Sequence, residues 1–127
     1  MSATRTVKTK TCPSLSGKSR LTYDIGTDVG GAIHLRVAAN SGGGFFSQQW
    51  IALDAIEKAL AEVPEGVTAF HLAPLFQGYS INSPGFLMAV LKHEKLLMPM
   101  EGKPRRYVWQ DTAAFLQGLP PGPRPPG

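Results

Sequence analysis

The sequence predicts an α+β fold in which an N-terminal antiparallel β-meander and a helix are followed by two further helical segments and a β-hairpin. Apolar and polar residues alternate over 21–25 and 33–37, the pattern of strands with one buried face. Apolar residues then recur at helical spacing over 56–63. Two more strand-like runs, 96–100 and 105–110, are separated by a turn that contains Gly and Pro. The length of 127 residues is that of one domain.

Both ends of the chain are predicted to be disordered. The first 20 residues hold eight Ser and Thr residues, five basic residues and no acidic residue, a composition too polar to pack. We therefore assign residues 1–18 to a disordered basic tail. Residues 118–127 contain five of the 11 prolines and three glycines and are assigned to a second disordered tail. One compact domain remains over 19–117, with the meander and first helix in 19–66.

The first half is predicted to hold three strands and a helix. The two alternating strands are joined by a hairpin connection over 26–31, and a third strand is expected over 45–53. Asp54 and Glu57 have the spacing of a capping box, with Asp in place of Ser or Thr. The helix that they begin is expected to end at 64–66, where the sequence is Pro-Glu-Gly.

The second half begins at 67–76 with a predicted short helix interrupted by Pro74, for which a strand is the alternative. A turn over 78–82 leads to Ser83 as the N-cap and Pro84 as the first residue of a longer helix, where the missing N–H of proline costs nothing. This helix runs to residue 95; its inward face is predicted to hold Phe86, Leu87, Val90 and Leu91, and its outward face Gly85, Met88, Ala89, Lys92 and Lys95.

A β-hairpin and a last helix complete the predicted domain. The strands Leu96–Met100 and Arg105–Gln110 are joined by a turn over 101–104. Asp111 is expected to cap a short final helix that packs Phe115 against the core.

The order of helix, turn, helix and hairpin with a basic tip resembles a winged helix-turn-helix module over about residues 67–116. Gly78 to Ser83 correspond to the turn, Pro84 to Lys95 to the recognition helix, and Met98 to Trp109 to the wing. The resemblance implies that the helix enters the major groove of DNA while the wing contacts the backbone or the minor groove. The helix departs from the family because its predicted outward face holds no Arg, Asn or Gln, the side chains that read base edges.

Basic residues of the second half are the candidate nucleic-acid-binding residues. Residues 67–110 carry five positive and two negative charges, and cationic side chains provide most of the non-specific affinity for phosphate. A solvated hairpin edge is the alternative interpretation of the wing charges. In the DNA-binding interpretation, Lys103, Arg105 and Arg106 neutralise phosphates, and Ser83, Lys92 and Lys95 position the helix.

The function expected from these features is that of a small DNA-binding protein that contacts duplex DNA through the wing and the adjacent helix, for example a regulator or an accessory factor of a mobile element. The alternative is a protein–protein interaction module, or an inhibitor encoded by a phage or mobile element, without nucleic-acid binding. Residues 21–66 favour this alternative because they hold six acidic and two basic residues. The wing edge and the first-half sheet are both candidate surfaces for a homodimer.

A second alternative is single-stranded nucleic acid binding. The strands that lead into a capped helix resemble small single-strand-binding cofactors, which pair a curved sheet with a helix. Phe45, Phe46 and Trp50 lie next to the glycine-rich segment and would stack on bases in such a protein. The competing interpretation is that these aromatic residues belong to the core.

Sites for metals, cofactors and catalysis are not predicted. Cys12, His34, His71 and His93 lack the paired spacing of metal ligands. The sequence Gly17-Lys18-Ser19 lacks the glycine that a phosphate-binding loop requires five residues earlier, and Gly42-Gly43-Gly44 lacks dinucleotide-binding spacing. No nucleophile is paired with a base, so we expect no enzymatic activity.

The expected location is the cytoplasm. The sequence has no apolar run long enough for a membrane span and no apolar segment after the basic N-terminus, so neither a membrane association nor a secretory signal is predicted. A single cysteine fits a reducing compartment. The net charge of +4 is divided between a basic N-terminal segment, an acidic first half and a basic second half, so one face is expected to approach an anion.

Overall fold

The predicted α+β class is confirmed by a computed structural model, which describes residues 4–42, 46–76 and 82–119. A four-stranded antiparallel sheet in the order β1-β2-β3-β4 is followed by helices and a two-stranded sheet. Two short 3₁₀ turns, Ala69–His71 and Ala73–Leu75, lie between the first two helices. The remaining elements are β1 Arg5–Pro13, β2 Arg20–Thr27, β3 Ile33–Asn40, β4 Ile51–Ala52, α1 Leu53–Leu60, α2 Ser83–His93, β5 Leu97–Pro99, β6 Tyr107–Trp109 and α3 Ala113–Gln117.

The predicted disorder of residues 1–18 is wrong for β1, which forms an edge of the large sheet. Lys10 pairs with Tyr23 and Cys12 pairs with Leu21, so these side chains share the face that is turned to the core. Cys12 is completely buried there. The segment packs despite its polarity because β-branched residues alternate with side chains that have apolar stems, a pattern that suits a strand.

The predicted β2–β3 hairpin is confirmed, whereas the third strand is much shorter than the predicted 45–53. Within the described part of 45–53, only Ile51 and Ala52 pair with β3, and α1 begins immediately afterwards at Leu53. The predicted capping box is therefore wrong, because Asp54 lies inside the first turn of α1. Leu53 is buried, and the helix starts two residues upstream of the start that an N-cap at Asp54 would give.

Helix α2 is the central element of the core and confirms the predicted helix, but its N-cap is Asn82 and not the predicted Ser83, which is already the first helical residue, and its predicted faces are partly wrong. It packs against β1, β3, β5 and the first 3₁₀ turn. Met88 and Ala89, which were expected to point outward, are 2% and 4% exposed. Because neighbours surround α2 on several sides, every residue from 87 to 91 is buried. A helix that is apolar all round is expected to be buried in this way.

The remaining segments of the second half follow the sequence predictions closely. The short helix expected over 67–76 is present as the two 3₁₀ turns, and Val67 forms a single β-bridge with Tyr107. The hairpin of β5 and β6 is confirmed with shorter strands. The last helix is present, but its N-cap is Thr112, so the predicted cap at Asp111 is wrong, although the backbone N–H of Ala113 donates to Asp111 Oδ1 at 2.9 Å.

Several predictions concern segments outside the described residues, namely Gly43 to Phe45, most of the turn at 78–82, and the tail after Leu119. Within the described ranges, no helix is both long enough and apolar enough to cross a membrane.

Candidate nucleic-acid interface

Seven of the 13 lysines and arginines of the protein occupy three segments that the fold connects. The hairpin loop carries Lys103, Arg105 and Arg106, and the C-terminal end of α2 carries Lys92 and Lys95. Lys92 links the two segments, because its Nζ lies 5.8 Å from the ring centroid of Tyr107 in β6. The third segment is β1, whose Lys8 and Lys10 line the same cleft as Lys95. We call these seven residues the basic surface.

The hairpin loop consists of two consecutive turns with unusual backbone geometry. The N–H of Lys103 donates to the carbonyl of Met100 at 3.2 Å, and the N–H of Arg106 donates to the carbonyl of Lys103 at 3.3 Å. The third residue of each turn has a positive φ, 74° for Gly102 and 66° for Arg105. This is the position at which a type II turn favours glycine. Arg105 therefore occupies a position where a side chain is strained, and it is exposed there.

Arg106 differs from its neighbours because it also holds the hairpin to the rest of the fold. Its Nη1 donates to the carbonyls of Glu65 and Gly66, both at 3.3 Å, and the side chain is half-buried. A Cβ on Gly66 would lie 2.8 Å from the Cβ of Arg106, so only glycine allows this approach. Arg106 is thus a structural residue as well as a predicted phosphate ligand.

The end of α2 is a Schellman motif with lysine at the position usually taken by glycine. The N–H of Leu96 donates to the carbonyl of Leu91 at 2.9 Å, and the N–H of Lys95 donates to that of Lys92 at 3.0 Å. Lys95 has a φ of 64° and is exposed. Leu91 and Leu96 are buried together beneath the turn, as is typical of this motif.

Ser83 does not belong to this surface, so its predicted role in positioning α2 on DNA is wrong. Its side chain is 1% exposed, and its hydroxyl accepts a hydrogen bond from the backbone N–H of Ser47 at 2.7 Å. Ser83 instead fixes the segment before β4 to the start of α2. The buried position follows from the central place of α2 in the core.

The lysines of β1 belong to this surface and were missed by the sequence analysis. Lys10 pairs with the Glu94 carboxylate at 2.8 Å, and Tyr23 donates its hydroxyl hydrogen bond to the same carboxylate. No ion pair within the described ranges involves Lys8. The alternation of β-branched residues between positions 6 and 11 is the signal that predicts a strand here.

Phe46 and Trp50, the two described aromatic residues among those proposed for base stacking, make contacts within the protein. The guanidinium carbon of Arg36 lies 4.3 Å from the ring centroid of Trp50, and the edge of that indole lies against Gly26. Phe46 contacts Phe86 edge to face, with ring centroids 5.8 Å apart. These contacts favour the interpretation that Phe46 and Trp50 are structural.

The acidic residues of the first half are separated into internal pairs and an exposed group. Asp24 accepts from Arg36 Nε at 2.9 Å, and Asp28 lies 3.1 Å from His34 Nε2, so both carboxylates have partners. The exposed acids lie on α1 and the loop after it, at Asp54, Glu57, Glu62 and Glu65. The predicted charge polarity therefore has a structural basis, with an acidic α1 and a basic surface formed by other elements.

Within the described part of the chain, no group of three or more His, Cys, Asp or Glu residues has the arrangement of a metal site. No protein-family model, curated protein or solved structure matches the sequence.

Proposed function

We propose that the protein binds nucleic acid, with duplex DNA as the preferred form, by contacting the phosphate backbone with the basic surface. The observation that carries this proposal is the backbone geometry of Lys95 and Arg105. Among the described residues they are the two non-glycine residues with positive φ, and both are exposed cations. Left-handed geometry costs a residue with a side chain about 1–2 kcal/mol. Two positively charged side chains therefore stand at positions where glycine would make the fold more stable. Strained backbone of this kind is often found at functional sites.

The geometry favours contact with the backbone over reading of bases. Met88 and Ala89 are buried, and several elements pack against α2, so residues 87–91 have no exposed face to insert into a major groove. In the proposed complex, the winged-helix resemblance therefore applies to the hairpin, which acts as the wing. Lysine and arginine contacts to phosphate carry no sequence information, so we expect little sequence preference beyond DNA shape.

Fluorescence anisotropy with a random-sequence duplex tests the proposal at two salt concentrations. The test variant combines Lys103→Gln with Arg105→Gly, which removes two charges and gives the strained turn its favoured residue. The matched control combines Lys18→Gln with Lys58→Gln, which removes two exposed lysines outside the basic surface. We expect the hairpin variant to weaken binding about 10-fold and to lower the salt slope by about two.

The control variant is expected to bind nearly as well as the unmodified protein. Equal binding by the hairpin variant and the control would contradict the proposal, as would tight binding that does not depend on salt. If duplex DNA is not bound at all, a protein–protein interaction module becomes the leading hypothesis.

A further inference from the structure

A cleft of about 290 Å³ opens between the large sheet and α3, next to the end of α2. Its apolar lining comes from three different parts of the fold, namely Ile25 of β2, Leu96 after α2, and Phe115 of α3. Ile25 and Leu96 are 0% and 1% exposed and form the floor of the cleft. The apolar wall within reach of a ligand therefore consists of Phe115, Ala114 and Leu119. An apolar wall with a few polar groups at its margin is the usual composition of a small-molecule site.

The charged residues of the cleft differ in whether they already have partners. Glu94 is satisfied by Lys10 and Tyr23, and Asp111 Oδ1 accepts the N–H of Ala113. Lys8 and Lys95 also line the cleft, and within the described ranges neither takes part in an ion pair. Lys8 and Lys95, which form no ion pair within the described ranges, therefore adjoin an apolar wall, and the five charged side chains of the cleft sum to +1.

This combination selects for one kind of ligand. A phosphate monoester carries a charge of about −1.5 to −2 at neutral pH. This charge balances the two positive charges of the lysines more completely than the single negative charge of a carboxylate would. Lysine binds phosphate as a point charge and needs no fixed orientation. The apolar wall suits a flat or apolar organic group, and the Asp111 carboxylate can accept a hydrogen bond from an amine or hydroxyl on that group.

We propose that this cleft binds a small phosphate monoester of the size of a nucleoside monophosphate. The volume lies at the lower limit of ligand sites, which excludes dinucleotides and lipids with long chains. Lys8 and Lys95 bind the phosphate, and the apolar wall of Phe115, Ala114 and Leu119 packs against the base. This site is additional to the proposed binding of duplex DNA, although Lys8 and Lys95 belong to both surfaces.

Isothermal titration with adenosine monophosphate at neutral pH tests the site directly. The comparison ligands are adenosine, inorganic phosphate and octanoate. We expect a Kd of about 0.1 mM or tighter for the nucleotide, with adenosine and inorganic phosphate each binding at least about 10-fold more weakly. Inorganic phosphate or octanoate binding as tightly as the nucleotide would overturn the proposal, and so would the absence of binding by every nucleoside monophosphate.

Two variants separate the lysines from the wall. Lys8→Gln combined with Lys95→Gly is expected to weaken nucleotide binding at least about 10-fold, whereas Lys18→Gln combined with Lys58→Gln leaves it unchanged. Ala114→Trp fills the cleft from an exposed position on α3 and keeps every charge. We expect it to abolish nucleotide binding and to preserve binding of duplex DNA. Nucleotide binding that survives Ala114→Trp would overturn the assignment of the cleft as the nucleotide site. The effect of the hairpin variant on DNA binding tests only the proposed function and not this site.

Discussion

The hydroxyl of Tyr23 in β2 donates a hydrogen bond to the carboxylate of Glu94 at the end of α2. Lys10 of β1 contacts the same carboxylate at 2.8 Å, so three elements meet at one acidic side chain. Burial, with a further contribution from Glu94, raises the pKa of Tyr23 far above its usual value. This contact fixes the edge of the sheet to the helix end that carries Lys92 and Lys95.

Replacement of Tyr23 by Phe tests the energetic importance of this contact. The change removes one hydrogen bond to a charged group, so we expect the free energy of unfolding to fall by about 1–2 kcal/mol. Tyr107→Phe is the matched control, because the Tyr107 hydroxyl has no hydrogen-bond partner within the described ranges. The control is expected to change stability by less than about 0.5 kcal/mol. Urea unfolding measures both, and equal losses would contradict the assignment.

The reactivity of Cys12 tests the order of β1. Burial, followed by the charge of Glu94, raises the pKa of this thiol, and the side chain is fully buried opposite Leu21. A thiol reagent such as dithiobisnitrobenzoate should therefore react at least roughly 100-fold more slowly with the native protein than with the protein in denaturing urea. A native rate close to the denatured rate would instead support the disordered tail that the composition predicts.

The patterns that predicted the fold correctly are local ones. Alternation in β2 and β3 depends on each strand's own sequence, and Pro84 in the first turn indicated the start of α2 to within one residue. The strand β1 was missed because its alternating residues are polar, and only docking against β2 shows which of them face the core. Overall composition favoured disorder, whereas residue-by-residue alternation favoured a strand.

The faces of α2 show a second limit of sequence analysis. Met88 and Ala89 were placed outward because a helical projection assumes that one face meets solvent. The run from Leu87 to Leu91 contains no polar residue, which is itself the pattern of a helix buried on all sides. The hairpin cations were identified because charge is visible in the sequence. The strain at Lys95 and Arg105 was not, since φ depends on the turns that the folded chain completes.

Two glycines provide a matched test of how Arg106 holds the hairpin. Gly66 and Gly102 both have a positive φ, but a Cβ on Gly66 would lie 2.8 Å from the Cβ of Arg106, whereas a Cβ on Gly102 would meet nothing within 4 Å. We expect Gly102→Ala to cost about 1 kcal/mol through backbone strain alone, and Gly66→Ala to cost about 2–4 kcal/mol because a steric clash is added. Thermal unfolding compares the two variants. Equal losses of stability for the two variants would show that the segment around Gly66 shifts away from Arg106 and relieves the clash without an energetic cost.

The contact between Asp28 and His34 predicts a dependence of stability on pH. The hydrogen bond from His34 and those from the backbone N–H groups of Ala32 and Gly30 lower the pKa of the Asp28 carboxyl. A carboxyl whose pKa is lower in the folded state stabilises the protein fully above its unfolded pKa of about 3.9. That stabilisation disappears as the pH falls through the lower folded value. We therefore expect Asp28→Asn to lose less stability than the unmodified protein between about pH 5 and pH 2. Parallel acid unfolding curves for the two proteins would contradict this linkage.

Lys95→Gly should raise stability and weaken anion binding at the same time. Glycine accepts the φ of 64° without strain, and this gain exceeds the added entropy of the unfolded chain, so we expect about 0.5–1 kcal/mol of stabilisation. Lys92→Gly is the matched control, because it removes the same charge from within α2 and should destabilise the protein by about 1 kcal/mol. Both variants should bind duplex DNA more weakly, since each removes one cation of the basic surface. Urea unfolding and anisotropy on the same samples separate the two effects. A less stable Lys95→Gly variant would mean that the lysine side chain supports the fold, and the argument that strain is retained there for function would fail.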